Sequence, residues 1–206
     1  MRRGCFLQFA KAPRAGRVKT RLQPALTALQ AAALARVLTA HVAAALDAIP
    51  PGWDAFICAD EPGDPFLCEL AARHKRVIRE QGAGDLGPRM QRALALALRD
   101  YPAAILVGSD CPGFDPDYLL EATRILARAD AVLGPAQDGG YVLIGFSRMR
   151  EAVFDGPAWG SDSVLATQRA RLQALGHSWE ELPLRADIDR PEDLRQLGED
   201  SPLRRW

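Results

Sequence analysis

The sequence predicts an α/β protein whose sheet is mixed but mainly parallel, with helices covering both faces. Three observations carry that prediction. Short apolar runs alternate with helical patterns along the whole chain, as strand–helix–strand units require. Polar, Gly-rich segments follow five successive strand ends, where open α/β sheets place their ligands. Two apolar runs within 131–146 are separated only by Ala136-Gln137-Asp138-Gly139-Gly140, too short for a crossover helix, so an antiparallel pair or a divergence around a loop is expected there.

The first strand is expected over 4–9 and leads into a basic connection, residues 11–22. A helix follows over 25–48, where Leu26, Leu29, Ala33, Val37, Ala40 and Ala44 recur at steps of three and four and form one buried stripe. Strands over 54–59 and 76–79 flank a helix over 65–74. A helix over 86–100 leads to a strand over 103–108. Asp115-Pro116 supplies an N-cap with proline at the first helical position for a helix over 116–128. Strands over 131–134 and 141–146 come next, then a helix over 162–175 capped by Ser161 or Asp162, a strand over 179–184 and a short helix over 191–197. Residues 1–200 read as one domain and 201–206 as a loosely held tail.

Composition narrows the function classes. The chain has 206 residues, and its 26 basic residues balance 26 acidic ones, so there is no global footprint for nucleic acid or an anionic membrane. The Ala-rich stretch up to Ala48 carries Arg36, His41 and Asp47 and is not read as a membrane span. Four cysteines without CxxC spacing, and three histidines far apart in sequence, exclude a disulfide framework and a zinc site. A cytoplasmic protein with reduced, mostly buried thiols is expected.

Chemistry concentrates at the strand ends. Lys11, Arg14, Arg17, Lys19 and Arg21 crowd one strand-to-helix connection around Gly16, which suits a phosphate-rich ligand; the alternative is a solvated basic loop. The connection lacks the spacing of a P-loop. Asp110, delivered by the strand that ends at Val107, is a candidate metal ligand or a turn-forming residue. Asp187 and Asp189 offer a second pair of carboxylates, or a cap for the helix near Pro191. Two carboxylates from distant strand ends, completed by ligand phosphates, make an oxygen shell for Mg²⁺ or Mn²⁺. Asp138-Gly139-Gly140-Tyr141 is either a hairpin turn or a place where paired glycines let the backbone approach a ligand. Trp159 is a candidate aromatic wall for a sugar or base, or a core residue. Cys111 has no histidine near it in sequence and is not read as a nucleophile.

In order, the motifs are Lys-Ala-Pro-x-x-Gly-Arg-Val-Lys-Thr-Arg-Leu (11–22), Gln-Gly-x-x-Asp-Leu-Gly-x-Arg-Met (81–90), Gly-Ser-Asp-Cys-Pro (108–112), Gly-Pro-Ala-x-Asp-Gly-Gly-Tyr (134–141) and Asp-Ile-Asp-x-Pro-Glu-Asp-Leu (187–194). Together they resemble the radical-SAM/selenodomain-associated transferases, often labelled arsenosugar-biosynthesis glycosyltransferases, over about residues 4 to 197. The resemblance implies a three-layer GT-A (nucleotide-diphospho-sugar transferase-like) fold. The basic loop and the final motif also resemble small cytidylyl- and guanylyltransferases, including phospholactate guanylyltransferases. In those relatives a lysine corresponding to Lys19 contacts phosphate, and carboxylates like Asp110 and Asp189 hold magnesium. The chain departs from both groups: it lacks the Gly-type turn directly after the first strand, and Ser109-Asp110-Cys111 keeps one acid of the Asp-x-Asp motif.

The resemblance implies an enzyme that binds a nucleotide or nucleotide-sugar donor with Mg²⁺ or Mn²⁺ and transfers part of it to a small-molecule acceptor. Glycosyl transfer is the first reading, nucleotidyl transfer to a phosphorylated small molecule the second, and a non-catalytic nucleotide-binding regulator the third. Lys11, Pro13, Gly16, Arg17, Lys19 and Arg21 belong to an exposed phosphate-clamping loop; Gln81, Gly82 and Arg89 frame base and ribose. Asp110 and Asp189 hold the metal. Asp138, Gly139, Gly140, Tyr141 and Trp159 face the acceptor, with Asp138, Asp110 and Lys19 as the catalytic set.

Overall fold

A computed structural model describes residues 2–198 and 201–204. Seven strands form one sheet in the order β3-β2-β1-β4-β6-β5-β7. They are β1 (Gly4–Ala10), β2 (Trp53–Ala59), β3 (Val77–Glu80), β4 (Ala104–Val107), β5 (Ala131–Pro135), β6 (Tyr141–Phe146) and β7 (Trp179–Glu181). β1 pairs in parallel with β2 and β4, and β2 with β3. β6 runs antiparallel to both of its neighbours, β4 and β5, and β7 is parallel to β5. The short 136–140 connection therefore leads into β6, the one strand among the described residues that runs against the others.

Five helices cover it: α1 (Ala28–Ala45), α2 (Pro65–Arg73), α3 (Leu86–Asp100), α4 (Pro116–Ile125) and α5 (Val164–Ala174). Strand alternation sorts the side chains between two cores. Phe6, Ile105 and Val107 pack on one face against Val42 of α1 and Leu119 and Ile125 of α4. On that face too, Ile57 and Ala59 meet Leu67 and Leu70 of α2. Leu7, Leu106, Leu133 and Ile144 pack on the other face against Met90 and Leu94 of α3 and Leu165 and Leu172 of α5.

The capping chemistry follows the sequence where side chain and proline agree. Asp115 accepts a hydrogen bond from the Tyr118 amide at 2.8 Å, and Asp64 caps α2 ahead of Pro65. Elsewhere the boundaries move. α1 begins at Ala28, after a reciprocal Thr27–Gln30 capping box, and ends in a 3₁₀ turn, Leu46–Ala48. α4 stops at Ile125, β7 at Glu181, and the final predicted helix is a 3₁₀ segment, Pro191–Gln196. Ser163, with no capping bond, precedes α5, and neither Ser161 nor Asp162 caps it.

The buried stripe of α1 also differs. Leu34, Leu38 and Val42 are fully buried, whereas Leu29 is 77% exposed and Ala44 faces solvent. In so Ala-rich a helix nearly every three- and four-residue track is apolar, so periodicity cannot select the face that meets the sheet. With its 3₁₀ extension this helix is long and apolar enough to cross a membrane, but half of it is buried inside the fold. The described part of the tail is tied back: Arg204 donates to the Leu197 and Leu194 carbonyls, and Leu203 packs near Leu197. Residues 205–206 of the predicted tail lie outside the described residues.

Candidate functional site

From β1 the chain runs outward through β2 and β3, then returns to the opposite side of β1 as β4. At such a reversal the connections leave the two strands in opposite directions and open a crevice beyond their carboxyl ends. Two adjoining clefts fill it. The larger, about 500 Å³, is lined by Lys11, Arg17, Lys19, Arg21, Gln81, Arg89, Ser109, Asp110 and Asp189. The smaller, about 200 Å³, is lined by Met90, Asp138, Gly140, Tyr141, Val142, Trp159 and Asp187. Phe9, Leu86 and Gly108 border both. The predicted nucleotide and acceptor groups thus fall into separate, touching clefts.

Four predicted site residues line neither cleft. Pro13 is buried beneath the basic loop, and Gly16 forms its exposed turn with φ 77°. Gly82 turns at φ 78° beside the Arg92 guanidinium, which holds that loop through the Ala83 carbonyl. Gly139, at φ 86°, lies against the backbone of Asp162, where a Cβ would stand 2.1 Å from the carbonyl oxygen. Its close approach is to the chain itself and not to a ligand. Asp138 closes this turn by accepting from the Gly140 amide at 2.8 Å, and the Leu165 amide donates to Gly139 O at 2.8 Å.

Lys19 departs furthest from expectation. Its side chain is 4% exposed, not presented on an open loop. Val18 and Leu22 on either side enter the core and draw it inward. The ammonium donates to Asp110 Oδ1 at 2.9 Å and to the Ile188 carbonyl, and lies 3.9 Å from Asp189 Oδ1. Arg21 Nη1 donates to Asp189 Oδ2 at 2.8 Å. Arg14 and Arg17 both pair with Glu61, and Asp60 accepts from the Ala12 amide at 2.7 Å. The loop's charge is therefore largely answered by carboxylates that follow β2 and β4 and by Asp189.

Among the described residues, Lys11 and Arg89 are the cations lining the larger cleft that have no carboxylate in ion-pair reach. Gln81 explains the placement of Arg89. The Gln81 amide donates to the Ala10 and Cys58 carbonyls at 3.1 and 2.7 Å, and its oxygen accepts from Arg89 Nη1 at 2.8 Å. Gln81 thus orients Arg89 while lining the same cleft. Arg89 Nε is buried without a partner. A second polar pin, missed in the sequence, is Gln8 in the middle of β1: it donates to the Thr39 carbonyl at 2.8 Å and to Ser109 Oγ at 3.2 Å. Ser109 donates in turn to the Phe9 carbonyl at 2.7 Å, which fixes the turn that carries Asp110.

Asp187 is the main site residue that the sequence reading placed only as one of a pair. Ile188 is fully buried between Asp187 and Asp189, and its amide donates to the Asp110 carbonyl at 3.1 Å. Asp189 enters the larger cleft and Asp187 the smaller. Burial, and then the neighbouring Asp138 carboxylate, push the Asp187 carboxyl up to about 6, with Asp110 adding to the rise and Lys19 opposing it. Cys111 is buried with its thiol pushed up to about 12, as expected of a non-nucleophile.

The raised Asp187 has a measurable consequence. A carboxyl higher in the folded than in the unfolded state binds protons preferentially in the fold, so its penalty is fully present above about 6 and disappears as pH falls toward the unfolded value. Asp187→Asn is therefore expected to stabilise the metal-free protein by about 1–2 kcal/mol at pH 8, with the gain vanishing near pH 4. Chemical denaturation at the two pH values measures this; a gain independent of pH would show that the carboxylate charge is not its source.

Hard oxygen donors at Asp110, Asp187, Asp138 and Asp189 suit Mg²⁺ or Mn²⁺, and the rise at Asp187 comes from burial first and the Asp138 charge second. No group of three or more carboxylate, histidine or cysteine ligands converges among the described residues, and Asp189 is occupied by Lys19 and Arg21. The donor chemistry fits a cation that arrives with phosphates to complete its shell, not one held by protein alone.

A family model described as DUF2064, "Uncharacterized protein conserved in bacteria", matches residues 41–161. No curated protein matches the sequence significantly. Among solved structures, a protein from Desulfovibrio desulfuricans G20, provisionally described as a nucleotide-diphospho-sugar transferase, is 32% identical over 100% of this chain and 91% of its own, with a TM-score of 0.87. A cytidylyltransferase from Leptospira borgpetersenii serovar Hardjo-bovis shares 15% identity over 96% of this chain and 85% of its own, with a TM-score of 0.61. Rv0371c from Mycobacterium tuberculosis H37Rv, in complex with manganese, shares 18% identity over 96% of this chain and 99% of its own, with a TM-score of 0.53. The chain has the nucleotide-diphospho-sugar transferase-like fold, a seven-stranded mixed sheet between helical layers.

Proposed function

The chain belongs to the DUF2064 family, and from its fold and its two clefts we propose that it is a transferase acting on a nucleotide-activated donor, with glycosyl transfer from a nucleoside-diphosphate sugar to a small acceptor as its reaction. The observation that carries this reading is the division of the crevice. Among the described residues, Lys11 and Arg89 stand without carboxylate partners in the larger cleft, whose Asp110 and Asp189 are paired with Lys19 and Arg21, while Asp138, Asp187 and aromatic walls line the smaller one that adjoins it. An anionic donor belongs in the first and a hydroxyl-bearing acceptor in the second.

In this reading Lys11 and Arg89 bind the donor's phosphates as charge-assisted donors. The phosphates compete with Asp189 for Lys19 and Arg21, which line the same cleft, and so release Asp189. Asp110 and Asp189, with Asp187 nearby, would hold a divalent cation, which would neutralise charge on a diphosphate leaving group. Asp138 takes the acceptor's proton as that oxygen bonds to the sugar's anomeric carbon, while the bond from that carbon to the diphosphate breaks and the nucleoside diphosphate leaves with its electron pair.

A thermal-shift panel of nucleoside triphosphates, diphosphates and sugar nucleotides, with and without Mg²⁺ or Mn²⁺, tests the proposal. A ligand at a hundred times its dissociation constant adds about 2.7 kcal/mol, a shift of several degrees for a domain this size. Sugar nucleotides and the matching diphosphate are expected to stabilise most, and only with metal present. Dominance of one triphosphate would favour nucleotidyl transfer, and a flat response across the panel would remove both.

A further inference from the structure

We infer that the smaller cleft selects an uncharged or cationic acceptor with an aromatic or other apolar body, and rejects phosphorylated and carboxylated molecules. The inference rests on the proposed function only in calling the occupant an acceptor; the selection itself follows from the cleft. Trp159 and Tyr141 meet edge to face, with ring centroids 6.5 Å apart at 87°, and form one wall. The Trp159 indole lies so close over α3 that a Cβ on Gly87 would stand 2.8 Å from it, so its position is set by packing. Met90 and Val142 supply further apolar surface. Among the described residues, the charged groups that line this space are Asp138 and Asp187, with no lysine, arginine or histidine beside them in the lining.

Lys11 and Arg89 line the adjoining larger cleft and not this one, and the two cations nearest its rim are already paired. Arg21 reaches the rim through the Gly160 carbonyl at 3.3 Å, but its guanidinium is paired with Asp189. Lys19 is held by Asp110 and by the Ile188 carbonyl. An anion entering the cleft meets two like charges beside its apolar walls, the exposed carboxylate of Asp138 and the half-buried one of Asp187. A cation meets the same pair as counter-ions and the aromatic faces as a favourable surface. The volume, about 200 Å³, accommodates one ring with a short arm.

Three probes of the same size and differing in charge test this: tyramine, a cation; tyrosol, uncharged; and 4-hydroxyphenylacetate, an anion. Each is titrated into the protein in metal-free buffer at pH 8 and followed by ligand-observed NMR. Tyramine is expected to bind at least tenfold more tightly than 4-hydroxyphenylacetate, with tyrosol between them. Asp138→Asn retains the acceptor oxygen that the Gly140 amide uses, so it is expected to fold and to narrow the cation–anion gap several-fold. Ser161→Lys, which places a cation at the rim, is expected to narrow it from the other side. Equal binding of all three, a preference for the anion, or no binding by any would overturn the inference. Because these titrations need no nucleotide, a flat nucleotide panel beside a charge-ordered probe series would sink the transferase reading alone. The converse result would sink only the selectivity.

Discussion

Lys19→Met is expected to lower both stability and donor affinity. The lysine stem is replaced by an apolar chain of similar length, so the change removes the ammonium and little packing. Asp110 and Asp189 then lose their shared counter-charge, and the Ile188 carbonyl loses its donor. Removing one partner of a fully buried pair costs about 3–5 kcal/mol. Asp110 is about half exposed and can recover water, so the expected loss is about 2–3 kcal/mol. For a chain of this length that is a fall in Tm of roughly 5–10 °C. The lost phosphate contact weakens nucleotide binding about tenfold to a hundredfold. Thermal denaturation and calorimetry read the two effects separately. A lower Tm with unchanged affinity would make Lys19 a pin between the β4 turn and the Asp187–Asp189 segment and remove it from phosphate recognition.

Gly139→Ala is expected to cost about 3–5 kcal/mol, combining a left-handed backbone with an overpacked site. The new Cβ would collide with the backbone at Asp162, which no rotamer change relieves. The chain must separate the β5–β6 turn from the start of α5, breaking the bond from the Leu165 amide and moving Trp159, which lies shortly before that helix. Gly140→Ala is the control. Its Cβ would meet the Asp138 carboxylate at 3.1 Å and nothing closer, and its φ is not in the left-handed region, so less than about 1 kcal/mol is expected. Urea denaturation of both variants checks the contrast. Equal losses would mean that the turn as a whole, and not the contact at Asp162, sets the cost.

Much of the architecture was legible in the residues. Apolar runs of strand length, the Asp-Pro start of α4 and a connection too short for a crossover predict the strands, the bounds of α2, α3 and α5 to within two residues, and a break in the parallel order at 136–140, which the structure resolves as an antiparallel β6. These are local signals: the period of the side chains, the geometry proline imposes and the reach of five residues are set within a few positions. The strand-end rule also placed most candidate residues at one edge of the sheet, because parallel strands all deliver their carboxyl ends there.

What the sequence could not contain was the pairing. The buried face of α1 depends on where the sheet lies, since its alanines make every face apolar. The five cations of the 11–22 connection read as a free phosphate clamp until Glu61, Asp110 and Asp189, between 40 and 170 positions away, are brought against four of them. Asp187 and Asp189 are two residues apart and chemically alike. Only the burial of Ile188 between them sends one to Lys19 and Arg21 and the other beside Asp138, where desolvation and a like charge raise its carboxyl. Burial and charge compensation are properties of distance in space. They exist only once β1, β4 and the segment after β7 have met, and for that reason tertiary structure decided which cations are spent and which carboxylate is strained.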